Sequence, residues 1–245
     1  MKQRLRVFIT GGSGSLGTVL VEQFSANGYD VHFQFDTNAK LANELSKRCS
    51  ATGYCATGTS VASISALATS DVLVNATAIN TSSDLTHETT LQAWQHTIDV
   101  NLTLPFLSAK AVIPHMIDRG WGRIIQVGSI FSTRGVARNA PYTSSKHGAS
   151  GLTKTIAKEY GIHGITANEI LPGPFDSQLL NRIAEFKAKA LGIDKDDYFA
   201  KLSANVPTGR LISMNSIAAA CLFLASEGAQ DINGSSITVD GGQIS

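Results

Sequence analysis

The stretch from Leu5 to Phe35 constrains the fold more than any other part of the chain. Leu5 to Thr10 (LRVFIT) is apolar and β-branched without alternation, the pattern of a central parallel strand covered on both faces. It runs into Gly11-Gly12-Ser13-Gly14-Ser15-Leu16-Gly17 and then a helical spacing of apolar residues at Leu16, Val19, Leu20, Val21 and Phe24, closed by Asn27-Gly28. Val31 to Phe35 is a second strand. Strand, glycine loop, helix and strand within about thirty residues form a βαβ unit. Glycines in such a loop let backbone approach a pyrophosphate, and the following helix N-terminus favours its charge. Gly11, Ser13, Gly14, Ser15, Leu16 and Gly17 are therefore candidate dinucleotide-binding residues.

The alternation continues. A helix is expected over Ala39–Arg48, a strand over Tyr54–Ala56, a weak helix over Val61–Ala68 and a buried strand over Asp71–Asn75. Glu88 to Arg119 is a long helical region that Pro105 and Pro114 should kink or divide. Strands follow at Arg123–Val127, Ile165–Leu171 and Ser236–Val239, with helices from Pro141 to about Tyr160 and over Ser216–Ala225. This predicts an α/β fold: a single-domain doubly wound parallel sheet of about seven strands, with helices on both faces. A chain of 245 residues, 43% hydrophobic, can fill one such core. Residues 1–100 form mainly the cofactor-binding half and 101–174 the catalytic half. Residues 175–207 hold two short helices, about Leu179–Leu191 and Asp196–Ser203, read as a small helical lid over a substrate pocket. Residues 208–245 supply the last helix and strand.

Ligands of such sheets sit at the carboxyl ends of the strands, and the chemistry-bearing residues cluster there. Tyr142 and Lys146 are one helical turn apart on one face. An ammonium beside a phenol favours the phenolate, so the pair could work as a general acid or base with a lowered tyrosine pKa. Ser129 ends a strand thirteen residues earlier and could meet the same carbonyl oxygen. Asn101 is a polar residue among apolar helical positions and must find hydrogen-bond partners. Pro172-Gly173-Pro174 fixes a rigid turn at another strand end.

Several function classes are disfavoured. The net charge is +1, with no basic run for nucleic acid or an anionic membrane. No run approaches the ~18 apolar residues of a membrane span. The apolar run after Met1-Lys-Gln-Arg-Leu-Arg is too short for a signal peptide. Cys49, Cys55 and Cys221 lack metal-ligand spacing and read as reduced thiols of a cytoplasmic protein. No metal-ligand cluster and no G-x-S-x-G elbow is present.

Thr10-Gly11-x-x-x-Ser15-x-Gly17, Asn75, Asn101, Ser129, Tyr142-x-x-x-Lys146, Pro172-Gly173 and Val239-Asp240-Gly241-Gly242 together resemble the short-chain dehydrogenase/reductase family over essentially the whole chain. The likeness is to its branch of β-ketoacyl-carrier-protein reductases and of polyol and secondary-metabolite dehydrogenases. It implies hydride transfer between a nicotinamide cofactor and a secondary alcohol/ketone pair. Tyr142 would be the proton donor or acceptor, Lys146 would lower its pKa and bind the nicotinamide ribose, Ser129 would hold the substrate oxygen, and Asn101 would anchor a water chain to Lys146. It also implies cofactor contacts from Asp36, Thr57, Gly58, Asn75, Ala76, Pro172 and Gly173, no metal, a small-molecule carbonyl or alcohol as partner, and a homotetramer or homodimer.

Three departures from the family pattern surround the cofactor. Ser15 replaces the middle glycine of the phosphate loop, Asn75-Ala76-Thr77-Ala78 replaces Asn-Asn-Ala-Gly, and Thr57-Gly58 stands where an acidic residue is expected. Asp36, just beyond the second strand, would repel a 2′-phosphate. NAD(H) is therefore favoured, while Lys40 leaves NADP(H) open. Rival readings are an NADPH-dependent β-ketoacyl reductase and a catalytically silent NAD(P)-binding regulator. The stretches Leu102–Ile117 and Gly148–Tyr160 are the expected subunit faces.

Overall fold

The computed structural model describes residues 4–244; Met1 to Gln3 of the basic N-terminal stretch and Ser245 lie outside it. Among these residues, seven strands form one sheet in the order β3-β2-β1-β4-β5-β6-β7, and every neighbouring pair is parallel. The strands are β1 (Arg6–Thr10), β2 (Asp30–Phe35), β3 (Thr52–Cys55), β4 (Val72–Asn75), β5 (Gly122–Val127), β6 (Ile165–Pro172) and β7 (Ser236–Val239). The helices are α1 (Ser15–Ala26), α2 (Ala39–Cys49), α3 (Ser65–Ala68), α4 (Leu91–Ile98), α5 (Leu104–Arg119), α6 (Ala140–Tyr160), α7 (Gln178–Leu191), α8 (Lys195–Ala204) and α9 (Met214–Ala225).

Side chains alternate across each strand, so adjacent apolar residues feed opposite cores. Val7 and Ile9 of β1 join Leu20, Val21 and Phe24 of α1 and Ile217 and Leu224 of α9 on one face. Phe8, between them, joins Leu104, Val112 and Met116 of α5 and Ile156 of α6 on the other. That is why LRVFIT shows no alternation. Each such fully buried side chain contributes roughly 1.5–3 kcal/mol relative to exposure.

Because all strands run the same way, Thr10, Asn75 and Gln126 come into one row, and the site residues collect at this edge. α6 packs along β6 and β5 with Pro141 in its first turn, the one place in a helix where a missing N–H is harmless.

Two expectations are corrected. The helix expected at Val61–Ala68 is a 3₁₀ segment, Gly58–Ser63, followed by the four-residue α3. In the long helical region neither proline ends the run. Pro105 sits in the first turn of α5, and Pro114 lies inside it. The irregularity comes earlier, as a π turn over Asp99–Thr103. Pro105 has no N–H for the carbonyl of Asn101, four residues back, so a wider turn is favoured locally. The stretch Leu91–Arg119 is long and apolar enough to cross a membrane, yet Leu104, Ala109, Val112, Ile113 and Met116 face the core. Phe106 of α5 remains exposed.

Candidate active site

The phosphate loop is shaped by close backbone approach. Gly11 has φ of +70°, and its N–H donates to Gln34 Oε1 at 2.8 Å while Gly12 N–H donates to the Gln34 carbonyl at 2.8 Å. Gln34 Nε2 in turn donates to the Ala56 carbonyl at 2.6 Å. One buried amide thus ties the turn after β1 to the ends of β2 and β3. α1 starts at Ser15 with Gly14 as its N-cap, no side-chain cap and no acidic residue in its first turn. Its first N–H groups are left for an anion. Leu16 points its side chain into the core, so only its backbone serves the loop.

At the end of β4, Thr10 Oγ1 accepts from the N–H groups of Ala76 (3.1 Å) and Thr77 (3.4 Å). Asn75 Oδ1 and Thr77 Oγ1 are buried without a hydrogen-bond partner. Buried polar atoms without partners are uncommon, and these two stand beside the glycine loop: a Cβ on Gly11 would lie 2.8 Å from Thr77 Oγ1. An uncapped helix start, a glycine cradle and unsatisfied polar atoms at one strand edge fit a dinucleotide. Asp36, Thr57 and Gly58 are exposed at the far end of this edge. Gly173, at the other end, donates to the Val239 carbonyl at 3.1 Å, and a Cβ there would stand 3.0 Å from Asp240 Cα.

Ser129, Tyr142 and Lys146 converge. Ser129 caps the turn Ile130–Ser132, and its side chain stands close enough to Tyr142 to favour the phenolate. Lys146 Nζ donates to the Val127 carbonyl at 2.9 Å and lies 5.6 Å from the centre of the Tyr142 ring. The expected lowering of the tyrosine pKa is not seen. Burial pushes the Tyr142 phenol up to about 12, with the Ser129 side chain pulling the other way. Burial also brings Lys146 down to about 8, opposed by the charge of Glu169. Withdrawal from water is the larger cause for both groups, because both charged forms lose hydration.

Asn101 finds the hydrogen-bond partners a buried amide needs. Its Oδ1 accepts from Ile79 N–H at 2.9 Å, and its Nδ2 donates to the Ile79 carbonyl (2.8 Å) and to Ser145 Oγ (3.1 Å). Both amide hydrogens are used, and the side chain clamps the loop after β4 to α6.

Ser15, the departure in the phosphate loop, has a partner that sequence reasoning did not find. Its Oγ accepts from the N–H of Gln178 at 3.0 Å, joining the first residue of α7 to the start of α1. The region expected as a lid does therefore touch the cofactor loop. Glu169 and Gln34 were also missed. Their signal was a polar residue inside an apolar strand.

A cleft of about 620 Å³ lies at the opposite end of the sheet. Its charges pair internally: Arg6 with Asp30 at 3.0 Å, and Arg119 and His115 with Asp71 at 3.3 and 3.4 Å. It lies away from Ser129, Tyr142 and Lys146, none of which lines it. No group of three or more His, Cys, Asp or Glu among the described residues is placed to hold a metal.

Residues 11–243 match the family described as enoyl-(acyl carrier protein) reductase. An acetoacetyl-CoA reductase of Rhizobium meliloti (strain 1021) is 31% identical over 243 residues, covering 96% of each chain. Among solved structures, a single-substitution variant of the actinorhodin polyketide ketoreductase with NADPH matches with a TM-score of 0.88 and 26% identity, covering 98% of this chain and 97% of that one. Sorbitol-6-phosphate 2-dehydrogenase from Erwinia amylovora matches with a TM-score of 0.89 and 29% identity, covering 98% and 99%.

Proposed function

The chain belongs to the short-chain dehydrogenase/reductase family, and we propose that Ser129, Tyr142 and Lys146 carry its chemistry. It is an oxidoreductase that moves hydride between a nicotinamide cofactor and a secondary alcohol or ketone. The observation that carries the residue assignment is the meeting of Ser129 with Tyr142 above the buried Lys146, next to a glycine loop built for a dinucleotide.

A nicotinamide held here would supply or take the hydride. In the reducing direction Tyr142 Oη–H gives its proton to the substrate oxygen as negative charge develops there, and Ser129 Oγ–H holds the same oxygen. A phenol kept protonated by burial is suited to donate. The ammonium of Lys146, below its pKa of about 8, stabilises the phenolate that remains. Gly11 to Gly17 and Asn75 hold the cofactor, and Asn101 keeps the loop after β4 at its distance from α6.

Asp36 would stand beside the adenosine end of a bound dinucleotide. Its carboxylate is exposed just past β2, where a 2′-phosphate would be repelled, so we infer a preference for NAD(H). That preference rests on Asp36 alone, and the relative holding NADPH lends it no support. The expected kcat/KM ratio of NADH to NADPH is about ten, and Asp36→Thr should bring it near one. A wild-type preference for NADPH removes the argument.

A substrate with a phosphate-bearing tail is favoured by one further observation. Arg134 and Arg138, on the loop between Ser129 and Tyr142, are exposed and pair with no carboxylate among the described residues. Acetoacetyl-CoA and sorbitol 6-phosphate, the compounds in two relatives' names, both carry phosphate. Steady-state assays with acetoacetyl-CoA and with an uncharged ketone test this. Arg134→Ala with Arg138→Ala should raise KM for acetoacetyl-CoA about tenfold at nearly constant kcat and leave the uncharged ketone unaffected. Equal effects on both would show that the arginines support the fold only.

A further inference from the structure

We infer that Glu169 is a positioning residue of this site, whose carboxylate braces the Val127–Ser129 segment that holds both the Lys146 ammonium and the Ser129 hydroxyl. The inference rests on the proposed roles of Tyr142 and Lys146. All eight residues of β6 are buried, and Glu169 is 1% exposed. A carboxylate in a central strand is costly unless paired and hydrogen-bonded, so its surroundings show what it does.

Both oxygens accept hydrogen bonds: Oε1 from Ser132 Oγ at 2.8 Å and Oε2 from Ser236 Oγ at 3.2 Å. Ser132 Oγ itself accepts from the N–H of Ser129 at 3.3 Å. A chain of hydrogen bonds thus runs from the backbone of Ser129 to the carboxylate. The same carboxylate fills the space above Gly128: a Cβ there would fall 2.0 Å from Glu169 Oε1. Gly128 lies between Val127, whose carbonyl takes the Lys146 ammonium, and Ser129. Glu169 is therefore packed against the short segment that touches both reacting groups.

Its charge acts on Lys146 and opposes the effect of burial there. No other carboxylate among the described residues does so. On α6 itself Tyr142 is the neighbouring titratable group, and His147 is exposed. From β5, Arg123 points to the other end of the sheet and donates to the carbonyls of Gly122 and Gly164. Asp99, in the π turn, accepts from Gln95, and Lys110 of α5 is exposed. β7 and the Ile130–Ser132 turn contribute hydroxyls, not charges. Removing the carboxylate lowers the pH at which Lys146 loses its proton, which moves the alkaline limb of carbonyl reduction down.

The test compares wild type, Glu169→Gln, Glu169→Val and Glu169→Asp in two measurements: the pH profile of kcat/KM for acetoacetyl-CoA reduction, and the pH dependence of NADH binding followed by fluorescence, which needs no substrate. The alkaline limb and the binding midpoint should fall by about one pH unit in Glu169→Gln and Glu169→Val. In Glu169→Asp they should return toward wild type, even though Gln is the closer match in shape. Valine suits a central strand, so a folded uncharged variant is available if the glutamine one fails to fold. Limbs and midpoints within about 0.2 unit of wild type in the uncharged variants would overturn the inference. Tyr142→Phe run alongside separates the two levels. If it retains turnover, the site reading fails and this inference with it. If it is inactive while Glu169→Gln keeps the wild-type profile, this inference alone fails.

Discussion

Gly17→Ala is expected to remove cofactor binding, raising the dissociation constant for NADH at least about a hundredfold, or ~2.7 kcal/mol. The new Cβ would stand 2.0 Å from the Gly11 carbonyl oxygen and 2.8 Å from both the Gly11 carbonyl carbon and Gly12 Cα. These are backbone atoms, and none can rotate away. Gly11 is also fixed from three sides: its N–H on Gln34, its carbonyl under the Gly14 N–H at 2.9 Å, and its φ of +70°. The methyl must therefore push α1 off the loop or open the loop itself. Either way the first N–H groups of α1 no longer point at one anion. Overpacking of this kind costs about 1–3 kcal/mol of stability, so the melting temperature should drop by several degrees. Gly14→Ala is the control. Its Cβ would meet only the Gly11 oxygen, at 3.1 Å, and Gly14 has an ordinary extended conformation. The melting temperature there should stay within about two degrees of wild type. Fluorescence titration and thermal melting of both variants check this, and equal affinity in Gly17→Ala and wild type would contradict it.

The sheet was legible because its strands are buried on both faces. Runs such as Val72–Asn75 and Ile124–Val127 stand out as apolar regardless of which side each residue faces, and glycine or proline follows β1, β5 and β6 at their ligand-side ends. Ser129, Tyr142 and Lys146 were legible as a group because their spacing puts them at one strand end and on one helix face, where the structure brings them together. What the sequence hid depends on partners far along the chain. Gln34 and Glu169 read only as odd residues in apolar strands until Gly11, Ala56, Ser132 and Ser236 are placed around them. Asn101 needed a partner, but nothing local pointed to Ile79, twenty-two residues away. The π turn arises from Pro105 acting on a carbonyl one turn earlier, whereas a kink at the proline itself is the usual expectation. The direction of the Tyr142 shift was misread because spacing reveals the charge of Lys146 but not the depth of burial. Burial is the larger cause for both groups.

Tyr142→Phe tests the central assignment most directly. The substitution removes one oxygen and leaves the ring, with its edge against Phe131 at 6.3 Å, so packing along α6 is kept. Positioned proton transfer is worth about 10²–10⁴ in rate. Here the substrate oxygen also loses a hydrogen-bond donor as charge builds on it. Lys146, still donating to the Val127 carbonyl, keeps its place beside the cofactor. Turnover of acetoacetyl-CoA should fall by at least about a thousandfold while the NADH dissociation constant, measured on the same preparation, stays within about threefold of wild type. Turnover within about tenfold of wild type, with binding intact, would contradict the assignment of Tyr142 as the proton donor.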